Sequence, residues 1–222
     1  MTLDWRWELV WTILPRLLSA TLNTLLAAVC GYAIALVLGL VFALGQRTTF
    51  RPLARVIRET VEFIRSTPLV LQIFFIFYVG PQFGINLSPW VSGLLAIGLH
   101  YSAYISEVYR AGIDAVPRGQ WEACRTLNLS RSRTYFRIII PQALVPSIPG
   151  MGNYLIGILK DTPMLSVIGV AELMHEANAI GSEHYRYLEP FTLVGVLFLV
   201  ISLPAAGLIK WIELRLRIGL GL

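Results

Sequence analysis

Charged side chains divide this chain into long runs that contain none. Between Arg16 and Arg47 lie 30 uncharged residues, and between Arg65 and Glu107 there are 41. Between Arg137 and Lys160 there are 22, and between Glu189 and Lys210 there are 20. One Asp, Lys or Arg at the centre of a membrane helix costs about 2.5–3.5 kcal/mol, and a crossing takes about 20 apolar residues. Runs of this length therefore read as spans. The longest run exceeds one crossing and is punctuated by Gly80-Pro81 and Ser88-Pro89, which mark a turn between two helices. The pattern predicts an all-α integral membrane protein with five transmembrane helices, near 19–46, 58–80, 89–112, 137–160 and 188–211. It leaves an N-terminal segment 1–18, a polar loop 113–136 and a tail 214–222, with 19–213 as one helical domain.

Composition agrees. Hydrophobic residues make up 56% of the 222 and charged residues 14%, against about 25% in soluble domains. That excludes an ordinary soluble domain, and also disorder, which needs low hydrophobicity and high charge. The net charge of +5 would hint at nucleic acid in a soluble protein. In a membrane protein an excess of Arg marks the cytoplasmic side. Of the 18 Lys and Arg, 14 fall on one set of loops and 4 on the other. The asymmetry puts the N-terminus outside and the C-terminus in the cytoplasm. Cys30 and Cys124 are isolated, with no disulfide framework and no metal spacing, and read as inert thiols. The opening MTLDWRWELVW lacks the basic region and short apolar core of a cleaved signal peptide. Gly31, Gly39 and Gly45 in the first span, and Gly93, Gly98 and Gly112 in the third, are expected to let helices approach closely.

The loop 113–136, IDAVPRGQWEACRTLNLSRSRTYF, is too polar to span and too patterned for a plain linker. Val116-Pro117 stops the preceding helix. A short helix is expected next, with Trp121, Cys124 and Leu127 at helical spacing. It ends at Asn128, a residue that tolerates the left-handed conformation. Such a helix can lie in the headgroup plane or lay its apolar face into a groove on a soluble partner. Spacing alone does not choose.

One stretch carries a family resemblance. Glu122-Ala123-Cys124, three residues, Asn128, nine residues, then Ile138-x-Ile140-Pro141 resembles the EAA loop of ABC importer permeases, Glu-Ala-Ala-x3-Gly-x9-Ile-x-Leu-Pro. Every spacing fits, and the departures are Cys124 for Ala, Asn128 for Gly and Ile140 for Leu. Arg65-Ser66-Thr67-Pro68-Leu69, Glu107–Ile113 and Lys160–Gly169 are similar to segments of polar amino-acid permeases. Within that family Gly98–Tyr101, Gly119–Ala123, Leu127–Leu129 and Arg186–Pro190 resemble ectoine and hydroxyectoine permease subunits.

The resemblance implies a type-1 ABC importer transmembrane domain in a bacterial inner membrane. Its partners would be an ATPase dimer, a second permease subunit (identical or related) and an extracytoplasmic solute-binding protein. The solute would be ectoine, hydroxyectoine or an ordinary polar amino acid such as glutamine, arginine or histidine. The chain has no G-x-x-x-x-G-K-[ST] phosphate loop, so ATP and Mg²⁺ would bind the partner, and this chain would carry no cofactor, metal or catalytic residue. By the same resemblance Gly119, Trp121, Glu122, Ala123, Leu127, Asn128 and Pro141 form the ATPase-coupling element. Glu122 docks or caps the helix, Trp121 and Leu127 give apolar contact, Asn128 sets the turn and Pro141 marks the base of the fourth span.

Other candidates come from the residues themselves. Arg65, Thr67 and Pro68 form a proline kink that either lines the path or serves helix packing. Lys160 and Asp161 either pair with each other or meet the two charges of a zwitterionic solute. His100, beside Tyr101 and Tyr104, is expected to hydrogen-bond a neighbouring helix or to line the path. Residues 162–187 are expected to form a further helical insertion in which Glu172, His175, Glu176 and Glu183 face either solvent or a partner. A standalone transporter would call for inverted repeats, and none is visible. An intramembrane enzyme would need paired ionisable groups at one depth, which the spans lack. A structural membrane subunit is the remaining alternative.

Overall fold

A computed structural model describes residues 4–219, and among them every regular element is helical. Residues 1–3 of the predicted N-terminal segment and 220–222 of the predicted tail lie outside the described residues. Helix α1 spans Trp7–Gln46, α2 Arg51–Ser66, α3 Leu69–Phe74 and α4 Pro89–Asp114. Helix α5 spans Arg118–Thr126, the single turn α6 Arg131–Arg133, α7 Ile140–Asp161, α8 Leu173–His184 and α9 Leu188–Gly219. Two straight helices, Trp7–Gln46 and Leu188–Arg215, are long and apolar enough to cross a membrane unaided. Two bent pairs meet the same standard together, Arg51–Ser66 with Leu69–Phe83 and Arg131–Ile168 with Leu173–His184.

The core is built on α1 and α4, which run parallel: Gly31 sits against Ile97, Gly39 against Ile105 and Gln46 beside Arg110. Their contact faces are lined with alanine and glycine, including Ala27, Ala28, Ala35, Ala43 and Ala96. In lipid no hydrophobic force pulls helices together, so close backbone approach supplies the attraction. A Cβ on Gly31 would stand 2.8 Å from Ile97 Cγ2. Helix α7 packs antiparallel on α4, and at Gly112 a Cβ would stand 2.5 Å from the Ala143 carbonyl oxygen. Buried hydroxyls bond within their own helices, Ser102 to Leu99 O (2.6 Å) and Ser106 to Ala103 O (2.7 Å).

The predicted second span, 58–80, is not one helix: it breaks at Thr67-Pro68. Helix α2 carries Arg51, Arg55, Arg58, Glu59, Glu62 and Arg65 and is largely exposed. It meets the following segment at 107°. Thr67 and Pro68 are both extended there (ψ 138° at each). The proline has no N–H to continue the helix, and the residue before it disfavours the α region. The loose carbonyls are covered: Gln72 Nε2 donates to Ile64 O (2.8 Å) and Thr67 O (3.2 Å).

The two ends of the bundle differ. One end gathers the end of α1, the end of α4, α5 and α6. At the other, α8 packs on the start of α1, where Ile13 and Leu17 meet Leu173, Ala177 and Ile180. Arg16 reaches Glu176 (2.9 Å) and Glu183 (2.8 Å) across that contact. The start of α1 lies beside the start of α9, through Arg6 N to Glu189 Oε1 (3.1 Å) and through Arg186 to Asp4 and Glu189. Because α9 then runs antiparallel to α7 toward the α5 end, with Gly152 against Ile209, the described chain starts and finishes at opposite ends. Glu172 is not a solvated residue: it is fully buried and caps α8, accepting from Met174 N (2.9 Å) and His175 N (2.7 Å).

Candidate functional site

The loop helix forms where the sequence predicts it. Pro117 is the N-cap and starts it without needing a donated N–H. At the other end Asn128 is left-handed (φ 49°). Leu129 N donates to Cys124 O (3.0 Å) and Asn128 N to Arg125 O (2.9 Å), the 6→1 and 5→2 pair of a Schellman cap. The helix presents two faces. Gly119, Glu122, Ala123, Leu127 and Asn128 are exposed, Leu127 to 69%. Trp121 and Cys124 turn the other way, Trp121 half-buried and Cys124 buried. Its indole meets Tyr135 edge-on at 5.5 Å and packs over Ile113, Val116, Ile139 and Ala143. Trp121 thus fixes the helix to its own chain, and Leu127 is the large apolar side chain left exposed.

Pro141 stands in the first turn of α7. A π-turn, Thr134–Ile139, precedes it, and α6, this turn and α7 are continuous. A proline at 141 cannot donate to the carbonyl of residue 137, and the wider turn accommodates the missing bond. Gln142 Nε2 ties the base of α7 to α5 by donating to Gln120 Oε1 (3.3 Å). Arg47, at the end of α1, pairs with Asp114 (2.5 Å). Burial opposes its charge, but Asp114 and Tyr135 more than offset this and raise its pKa.

The second constellation lies between α4 and α7. His100, Tyr101 and Tyr104 face Asn153, Tyr154 and Asp161 around a cavity of about 620 Å³, within the usual range for a small-molecule site. Ring centroids are 6.0 Å apart for Tyr101 and Tyr154, and 5.7 Å for Tyr104 and Tyr154. The Tyr101 hydroxyl donates to Asp161 Oδ2 at 2.6 Å. The Tyr104 hydroxyl donates to Arg65 O (3.2 Å), and the Arg65 guanidinium stands 5.5 Å from the Tyr104 ring. His100 is 8% exposed and its Nδ1 has no hydrogen-bond partner, contrary to the expected bond to another helix. Its ring instead contacts Tyr101 and Tyr104. Electron-rich ring faces around a carboxylate attract a cation, and an unsatisfied imidazole nitrogen adds a polar contact.

The predicted path residues are thus partly gathered. His100 and Asp161 line the cavity, and Arg65 adjoins it through Tyr104. Thr67 and Pro68 shape the neighbouring break. Lys160 departs: it lines a separate groove with Ile156, Pro163 and Leu199. Consecutive helical residues diverge by about 100°, so Lys160 and Asp161 do not pair, and of the two Asp161 lines the cavity. Sequence reasoning missed Tyr154, Asn153 and Gln72. A usable signal existed: His100, Tyr104 and Val108 on α4, and Gly150, Tyr154, Gly157 and Asp161 on α7, each recur every three or four residues on one face.

Comparison with known proteins gives the family. Residues 35–218 match the family described as "Binding-protein-dependent transport system inner membrane component". The chain is 44% identical over 205 residues to a probable amino-acid ABC transporter permease, y4tG, of Sinorhizobium fredii, covering 92% of this chain and 89% of the relative. It is 37% identical over 203 residues to the L-cystine transport system permease TcyB of Bacillus subtilis, covering 89% and 87%. A chain in the solved structure titled "Crystal structure of an amino acid ABC transporter with histidines" superposes with a TM-score of 0.87 at 34% identity, covering 97% of this chain and 100% of that one. An α5 turned outward at one end of a helical bundle, beside a polar cavity between its two central helices, fits that assignment. The chain belongs to the family of binding-protein-dependent transport system inner membrane components, the permease subunits of ABC importers.

Proposed function

We propose that this chain, paired with a second permease subunit, forms the membrane path of an ATP-driven importer for a small polar amino acid. The observation that carries the solute class is the cavity whose tyrosine faces surround Asp161 beside the unsatisfied His100. A zwitterion's ammonium group rests against Asp161 and the rings, and its carboxylate points toward His100 and Arg65. Ectoine was the finer expectation. The relatives' names, amino acid and L-cystine, and the histidines of the solved structure's title favour an ordinary amino acid instead.

In this reading the α5 end faces the cytoplasm, as the excess of arginine there requires, and the N-terminus lies outside. Glu122, Ala123 and Leu127 enter a groove on an ATPase subunit. ATP and Mg²⁺ bind that partner, and its closure moves α5 and so alternates access to the cavity. A solute-binding protein meets the α8 end, where Glu176 and Glu183 already hold Arg16.

The test is solute-stimulated ATP hydrolysis by the reconstituted transporter with histidine, cystine, glutamine, arginine and ectoine. One amino acid should stimulate, and Asp161→Asn should raise the concentration it requires at least tenfold, on the order of one lost charge-assisted contact. Stimulation by ectoine alone would return the solute to the sequence-based expectation. Unchanged behaviour of Asp161→Asn would remove the cavity from the path.

A further inference from the structure

A second cavity, of about 350 Å³, opens on the other side of α5, bounded by the α1–α2 turn and the start of the π-turn. Arg47, Arg125 and Arg131 lie on its wall, and the buried Cys124 and Thr134 contribute its floor with Trp121 and Tyr135. Of the three guanidiniums, Arg47 has a carboxylate, Asp114. Arg131 meets only a neutral hydroxyl, Thr49 Oγ1, at 3.2 Å. Arg125 projects from the last turn of α5. The bowl therefore gathers three positive charges against one negative one and adds hydroxyl donors at Thr49 and Thr134.

Arginine forks match phosphate oxygens in pairs. The bowl also lies at the depth where α1 ends and α7 begins, with tryptophan and tyrosine in its wall as at a membrane–water boundary. Basic pockets between membrane helices at the cytoplasmic face suit anionic headgroups. We propose that this bowl binds a phosphate-bearing anion, carried by an anionic phospholipid headgroup or present as free phosphate. A bound anion bridges Arg125 on α5 to Arg47 and Arg131, and so couples the posture of α5 to the lipid around it. The proposal does not depend on which solute the importer carries.

The full chain in detergent is titrated with short-chain phosphatidylglycerol or phosphatidylcholine, and bound lipid is counted by native mass spectrometry. Phosphatidylglycerol should saturate at one per chain and phosphatidylcholine should not bind. Arg125→Gln with Arg131→Gln should weaken binding roughly 30-fold, about fivefold for each guanidinium. Both residues are exposed, so the fold tolerates the change. Arg133→Gln with Arg137→Gln removes the same charge outside the bowl and should change binding by less than about threefold. Inorganic phosphate that displaces the lipid would assign the site to phosphate from either source, and failure to displace it would assign the site to the lipid. Equal binding of the two lipids, or equal loss in the two double variants, would overturn the proposal and leave a diffuse basic surface.

Discussion

Asn128 shows how much a single backbone angle carries. Its φ of 49° is costly for most side chains, by about 1–2 kcal/mol, and is tolerated by Asn and Gly. Asn128→Gly should therefore keep the Schellman cap, whereas Asn128→Ala should loosen the end of α5. The check is hydrogen exchange at Thr126 to Leu129, faster by about tenfold in the alanine variant and unchanged in the glycine variant. Gln72 is the second such residue. Its amide donates to Thr67 O where the chain breaks, and shares Ile64 O with Thr67 N and Thr67 Oγ1. Gln72→Leu removes the donor to Thr67 O and should cost about 1–3 kcal/mol, read as a lower midpoint of thermal unfolding in detergent. An unchanged midpoint would mean that water already satisfies the break.

Among the elements, the α4–α7 contact is the one that couples the cavity to the loop helix, since both helices line the cavity and both bases touch α5. Gly112 fixes their spacing, because a Cβ there would meet the Ala143 backbone as well as the Ser147 hydroxyl. Gly112→Ala should destabilise by about 1–3 kcal/mol through overpacking. Gly195→Ala, where a Cβ meets nothing within 4 Å, should be neutral or stabilising.

The helices themselves were legible in the sequence because the absence of charge over 20 or more residues leaves few alternatives. The bend between α2 and α3 was not. Thr67-Pro68 signals a kink, but nothing local fixes its angle, which depends on how Val61 and Ile64 pack on Ala103. The face of α5 was misread for a related reason. Trp121, Cys124 and Leu127 share a spacing, but Leu127 is the C-cap, where the chain leaves the helix and its side chain leaves the stripe. Lys160 and Asp161 were paired by adjacency in sequence, although helix geometry sends neighbours in different directions.

At the scale of the whole molecule, the described chain places an outward-facing helix at one end, a polar cavity between its central helices, and a cap of α8 held by Arg16 at the other. The sequence resemblance found the first of these by spacing. The cavity depended on two helical faces meeting, which no single stretch displays. In the proposed function, motion delivered at α5 opens and closes a path through that cavity. The most direct measurement is ATP-dependent accumulation of the stimulating amino acid in proteoliposomes holding the complete transporter, wild type beside Glu122→Lys. Glu122 is exposed, so the variant should fold. The wild type should accumulate the amino acid and the variant should lose at least about tenfold, on the order of one or two kcal/mol of docking contact. Equal accumulation by the two would contradict that function.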